Sequence, residues 1–205
     1  MTRAKEPCKR PYSLGLRQQQ SNEKRMAVLA AARKRLEEKG TVEFTLELVA
    51  KDAGVTRQTV HKFFGGRSGL LEALFDQLAI AGGMSRMRKV MTQPDPHRAL
   101  QLFVTVFCGF WQEDRTLLRR IQGMAAIDTE IGAIIAARNE RRVGIAARLI
   151  ERIGGPNQKL RASQLVALTS FHVYDAVAGS LPPAEAVRFL LVMSEQLLGL
   201  QMQGI

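Results

Sequence analysis

Cysteine is nearly absent: the 205 residues contain two, Cys8 and Cys108, with no second Cys or His at ligand spacing beside either. That scarcity argues against a disulfide framework and a cysteine-based zinc site, and it fits a reducing cytoplasm. Histidine is almost as rare, with His61, His97 and His172 scattered singly. Paired carboxylates, a Ser-His-Asp set and a phosphate-cradling glycine loop are all missing, so neither catalysis nor a cofactor is expected. The chain also lacks an apolar run of the roughly 18 residues that would span a bilayer. Its basic N-terminus has no apolar core of secretory type behind it, so neither export nor a membrane partner is expected. Acids are under-represented too: 19 Asp and Glu stand against 30 Lys and Arg, for a net charge of +11. Such a surplus suits contact with phosphate backbones or anionic surfaces, without choosing between them.

What is present is apolar mass in helical order. Hydrophobic residues make up 46% of the chain, enough to fill the core of one ordinary domain or two small ones. Residues 1–20 carry Arg3, Lys5, Lys9, Arg10 and Arg17 against the single acid Glu6, together with Pro7, Pro11 and three consecutive glutamines. They are expected to form a flexible basic arm, either a solubilising tail or a contact to DNA. From Ser21 the pattern becomes helical: Met26, Leu29, Ala32 and Leu36 share a face, Ser21 can cap the start, and Gly40 can end it. Thr45 then reads as the N-cap of a second helix with Leu46, Val49, Ala50 and Ala53 inward, and Gly54 as its stop.

The stretch Ala53-Gly54-Val55-Thr56 reads as a tight corner between two helices. A glycine takes the left-handed turn, an apolar residue plugs the angle, and a threonine caps the helix that follows. That next helix, about Thr56 to Phe63, turns Arg57, Gln58, Thr59 and Lys62 outward as base-reading or phosphate-binding groups, while Val60 and Phe64 anchor it. A fourth helix is expected from about Arg67-Ser68 through Leu78.

From Arg25 through Leu74 the chain resembles the DNA-binding domain of TetR-type repressors. The family pattern T-x-x-x-I-A-x-x-A-G-V-S, then T-x-Y-x-x-F, then a basic residue and a Leu, stands here as Thr45 to Thr56, Thr59 to Phe64, Arg67 and Leu70. His61 stands where the family usually has Tyr, and Arg67 where it usually has Lys. By position, the resemblance implies that Thr45 and Thr56 offer helix N-termini to phosphate and that Arg57 and Gln58 read base edges. Thr59, His61, Lys62 and Arg67 would hold the DNA backbone.

The expected architecture is all-α: an arm over residues 1–20, a helix-turn-helix DNA-binding domain over 21–80, and a helical ligand-binding and dimerisation domain over 81–205. In the last of these, helices are expected at about 97–112, 115–122, 128–153, 161–179 and 184–202, broken at Pro94, Pro96, Gly154-Gly155-Pro156 and Pro182-Pro183. The resemblance implies that the last two pair with their copies in a homodimer, through Leu165, Leu168, His172, Phe189, Val192, Gln196 and Leu200. It also implies a cavity for an unidentified small-molecule inducer, apolar or aromatic, for which Phe103, Phe107, Trp111, Met124 and Ile127 are candidate walls. Arg138, Arg141, Arg142 and Arg148 are expected on a solvated face. The function so implied is repression from a palindromic double-stranded operator, relieved by the inducer; the alternative is an architectural or constitutive DNA-binding protein without ligand control.

Overall fold

The computed structural model describes residues 12–39 and 43–199, with side-chain surroundings from residue 15 onward. Among these residues every regular element is helical. They fall into two units, which divide between Leu70 and Leu71, inside the fourth helix.

The first unit holds α1 (Tyr12–Lys39), α2 (Leu46–Asp52), α3 (Arg57–Phe64) and the start of α4 (Arg67–Ala81). Helix α1 begins at Tyr12 rather than Ser21, so residues 12–20 of the expected arm are helical. Pro11 is the last residue a helix interior would refuse, and Gln18, Gln19 and Gln20 are good helix formers. The arm's residues 1–11 and the expected stop Gly40 lie outside the described residues. The core is Val28, Leu29, Ala32 and Leu36 from α1, Phe44 ahead of α2, Val49 and Ala50 from α2, Val60 from α3 and Leu70, all buried. Met26, expected among them, is exposed, and Val28 fills the inward register instead.

Arginines fasten this small core at its edges. Arg35 of α1 reaches Asp52 at the end of α2, with Nη2 donating to Oδ1 at 3.0 Å, and Nη1 donates to the Glu43 carbonyl at 3.2 Å. Gly69 lets α4 start against the end of α3: a Cβ built there would sit 1.8 Å from the Phe64 carbonyl oxygen.

The second unit continues with a 3₁₀ turn (Met84–Arg86), α5 (Met87–Thr92), α6 (Pro96–Glu113), α7 (Arg115–Ala125), α8 (Thr129–Ile153), α9 (Gln158–Leu168), α10 (Phe171–Val177) and α11 (Pro183–Leu197). Side-chain caps set several starts. Asp95 accepts from the His97 N–H ahead of α6, Asp128 from Glu130 and Ile131 ahead of α8, and Ser170 from Val173 ahead of α10. Helix α6 is the spine, burying Leu100, Phe103, Val104, Phe107, Cys108 and Trp111. Around it pack α5, α8, α10 and α11, while α8 also lies along α7 and α9.

The single helix expected over 161–179 is two helices, broken at Thr169. The Thr169 carbonyl accepts hydrogen bonds from Trp111 Nε1 at 2.9 Å and Arg142 Nη1 at 2.8 Å. Its own hydroxyl turns back onto the Leu165 carbonyl at 2.8 Å, and Ser170 begins the next helix as a cap. Two distant side chains thus take the carbonyl that a continuous helix would have used.

Helix α10 is tied to α7 by Asp175, whose carboxylate accepts from Arg115 Nε at 2.6 Å and from Arg119 Nη2 at 2.7 Å. Hydrogen bonding from Arg119 holds this carboxyl below the usual carboxylate range, with Arg115 adding to the effect. A depressed folded-state pKa gives stability that is present above the unfolded value of about 3.9 and is lost as pH falls through the folded one. Urea unfolding followed by circular dichroism should therefore show a loss of stability below about pH 4 that is smaller in Asp175→Asn. The same assay should separate two glycines. Gly69→Ala must displace backbone and should lower stability by roughly 1–3 kcal/mol or more. Gly123, exposed inside α7 with open space around its Cβ position, should gain about 0.5–1 kcal/mol on change to Ala.

Candidate nucleic-acid interface

The corner between α2 and α3 has the geometry its residues require. Gly54 sits at φ 65°, a left-handed conformation that costs a side-chain-bearing residue about 1–2 kcal/mol. The Val55 N–H returns to the Ala50 carbonyl at 3.0 Å, closing the end of α2. One residue later Thr56, in extended conformation, caps α3: its Oγ1 accepts from the Thr59 N–H at 3.1 Å and lies 2.9 Å from the Thr59 hydroxyl. Thr45 caps α2 in the same way, accepting from the Leu48 N–H at 3.3 Å. Both threonine hydroxyls are thus engaged in capping, and both helix starts lie exposed. At α3 the free N–H groups and the positive end of the dipole face outward, an arrangement that attracts phosphate.

Val60 is fully buried and anchors α3, which leaves Arg57, Gln58, His61 and Lys62 exposed, with Thr59 half-buried among them. Gln58, Thr59, His61 and Lys62 line one shallow surface depression. Arg57 is held for now by Glu47 of α2, with Nε 2.9 Å from Oε1. Both side chains are mostly in solvent, and such a pair is worth about 0–1 kcal/mol, so a phosphate or a guanine edge can displace the carboxylate. Glu47 as a partner of Arg57 was not visible in the spacing, because the contact crosses the corner.

Arg67 makes contacts within its own unit. Its Nε donates to the Phe44 carbonyl at 3.3 Å and its guanidinium lies over the Phe44 ring, 5.4 Å from the centroid. It is half-buried, and these contacts make it a brace between the start of α4 and Phe44, two residues ahead of α2.

A cavity of about 280 Å³ lies in the second unit, between the end of α4, the 3₁₀ turn, α5, α6 and α8. Phe107, Phe110 and Trp111 form its aromatic side, Met84, Met87 and Ile145 complete the apolar lining, and Arg138, Arg141 and Arg142 enter from α8. Of the expected walls, Phe107 and Trp111 belong to it. Phe103, one turn before Phe107, is sealed in the core, with ring centroids 4.9 Å apart. Met124 is buried on α7 without reaching the cavity, and Ile127, in the turn after α7, is 78% exposed.

The arginines of α8 correct the expectation of a solvated face. Arg142 is only 8% exposed, with its guanidinium 5.5 Å from the Phe107 ring centroid. Burial pushes it down to about 10, so it remains charged at neutral pH. Arg138 is half-buried, donating to Glu72 Oε2 at 3.1 Å and Asp76 Oδ1 at 2.8 Å, whereas Arg141 and Arg148 are exposed. The signal was in the register: Ile131, Ile134, Arg138, Arg142, Ala146 and Leu149 recur at three- and four-residue steps, putting Arg142 on the apolar stripe. Nearby, Cys108 is wholly buried and its thiol is pushed up to about 12, so it stays protonated.

Among the residues expected to face a second copy, Leu165 is fully buried in its own chain's core. The other described residues expected there are less buried. His172 and Gln196 are exposed, Phe189 is 44% exposed, and Leu168 and Val192 are half-buried. Leu200 lies outside the described residues. No helix of the described residues is long and apolar enough to cross a membrane, and no cluster of metal-ligating side chains occurs among them.

Comparison with known proteins bears on this arrangement. Residues 28–74 match the family described as bacterial regulatory proteins, tetR family. The HTH-type transcriptional regulator EthR of Mycolicibacterium smegmatis is 30% identical over 87 residues, which are 42% of this chain and 40% of that protein. The matched stretch is thus less than half the relative's length. Among solved structures, NalD of Pseudomonas aeruginosa, the secondary repressor of the MexAB-OprM multidrug efflux pump, superposes with a TM-score of 0.71 at 22% identity over 90% of this chain and 100% of that one. A transcriptional regulator from Saccharomonospora viridis in complex with choline gives a TM-score of 0.63 at 14% identity, covering 85% and 96%. Such identities speak for the shared fold. Together with the motif from Thr45 to Leu70, they show that residues 28–74 match the tetR family of bacterial regulatory proteins and that the chain shares the fold of these solved regulators.

Proposed function

We propose that the protein is a DNA-binding transcriptional repressor that grips a palindromic operator as a homodimer and lets go when a small molecule occupies the cavity of its second unit. The observation that carries the reading is the outer face of α3: Arg57, Gln58, His61 and Lys62 stand exposed on a short helix whose start is capped and whose other side is anchored by Val60. Arg57 and Gln58 open that helix, as base-reading side chains do in a major groove, and Lys62 lies one turn on, where it meets phosphate. Arg67, already bracing Phe44, supports the site from behind. Work on chromosomal DNA would put the protein in the cytoplasm.

A two-fold operator needs two such helices about 34–36 Å apart, which one chain cannot supply. The half-open Phe189 on α11, with Gln196 on the same helix and His172 on α10, supports a partner copy there. Ligand control is supported by the cavity, since space of this kind lined by aromatic and charged groups is where small molecules bind. NalD's description as a repressor favours repression over activation.

Selection from a random duplex pool with the full chain tests the reading. Recovered sequences should be inverted repeats with half-sites about one helical turn apart. On the selected site, Gln58→Ala should cost roughly 1–3 kcal/mol against the cognate base and relax choice at that position. Lys62→Ala should weaken all sequences alike and flatten the salt dependence. A pool that shows no enrichment would contradict the proposal. Sedimentation should give a dimer at micromolar concentration, and Phe189→Asp should shift it towards monomer with a loss of operator affinity; a monomeric parent protein would overturn the dimer reading.

A further inference from the structure

The cavity contains a charge that no carboxylate among the described residues is seen to neutralise. Arg142 is more than nine-tenths buried, and its hydrogen bond runs from Nη1 to a neutral carbonyl, that of Thr169. Its other neighbour is the face of Phe107. Its Nε is buried without a hydrogen-bond partner, and no carboxylate stands among the residues that line the cavity. Arg138 shows the contrast: on the same helix one turn earlier, it is met by both Glu72 and Asp76. A buried guanidinium without a counter-charge is costly, and in a protein interior such groups are normally paired.

We propose that the counter-charge is brought by the ligand: the cavity takes an amphipathic anion, an apolar body carrying one carboxylate. The apolar part would lie against Phe107, Phe110, Trp111, Met84, Met87 and Ile145, and the carboxylate would accept from the guanidinium of Arg142. Arginine is suited to this task, because its fork matches the two oxygens of a carboxylate and it can rest on an aromatic face while doing so. The exposed Arg141 adds a second positive charge to the same wall, while Glu72 and Asp76 are already engaged by Arg138. A cationic ligand would meet three guanidinium groups and no acid among the lining residues. The inference rests on the proposed role of the cavity as the effector site, and it narrows the effector from apolar molecules in general to apolar acids.

Octanoate and 1-octanol share an apolar body and differ in charge, so calorimetry and Trp111 emission on the full chain at neutral pH test the inference. Octanoate should bind at least about ten-fold more tightly than octanol, the range expected when a buried charged group gains its partner. In Arg142→Met that preference should vanish, with octanol affinity changed little. Arg142→Lys should keep part of it. Octanol binding as well as octanoate to the parent protein would overturn the anion inference while leaving the cavity as an effector site. Binding of neither probe would overturn both the inference and the cavity's effector role, yet leave operator recognition by α3 standing. The parent comparison needs no variant, so it decides the matter even if Arg142→Met fails to fold.

Discussion

Helix α2 ends and α3 begins within four residues because the backbone passes through a left-handed conformation at Gly54, φ 65°. The functional face depends on that turn. Because the corner is closed by Val55 returning to Ala50 and reopened by the Thr56 cap, α3 starts with its N–H groups outward and its first side chains in solvent. Val60 then fixes which side of α3 is inside, and so which side presents Gln58, His61 and Lys62. Shifting the cap by one residue would rotate that presentation by about 100° and bury the wrong set.

The second unit has its own organising contact, the Thr169 carbonyl, shared by Trp111 and Arg142. It breaks what would be one helix into α9 and α10, fixes the indole on α6, and draws a charged side chain into the interior. The cavity lies beside this contact, with Trp111 and Arg142 both in its wall. A ligand that engages Arg142 would therefore act on a residue already bonded to the junction of two helices. Such an engagement can be felt elsewhere in the chain to the extent that the ligand binds one arrangement better than another.

Much of the first unit was legible in the sequence because its signals are local. Gly54, the capping threonines and the buried Val60 each act within a few residues, so spacing alone places the corner and α3. The contact of Arg67 was not legible because its partner, Phe44, lies 23 residues back and enters through a backbone carbonyl, a contact with no sequence pattern. The break at Thr169 was missed for the same reason, since residues 58 and 27 positions away cause it. Arg142 differs in that its place on the apolar stripe of α8 could be read from register, had charge not been taken to mean exposure. Ile127 failed through the opposite assumption, that a large apolar residue near a core belongs to it; it falls past the end of α7, where no helix turns it inward.

The central claim, that the face built by this corner is the DNA-binding face, can be read residue by residue from backbone amide resonances of the full chain titrated with a selected operator duplex. The account predicts the largest shifts in the amides of Leu46 to Leu48 and of Arg57 to Lys62, at the starts of α2 and α3. Shifts concentrated instead on α9 to α11, with the amides of α3 unmoved, would contradict it.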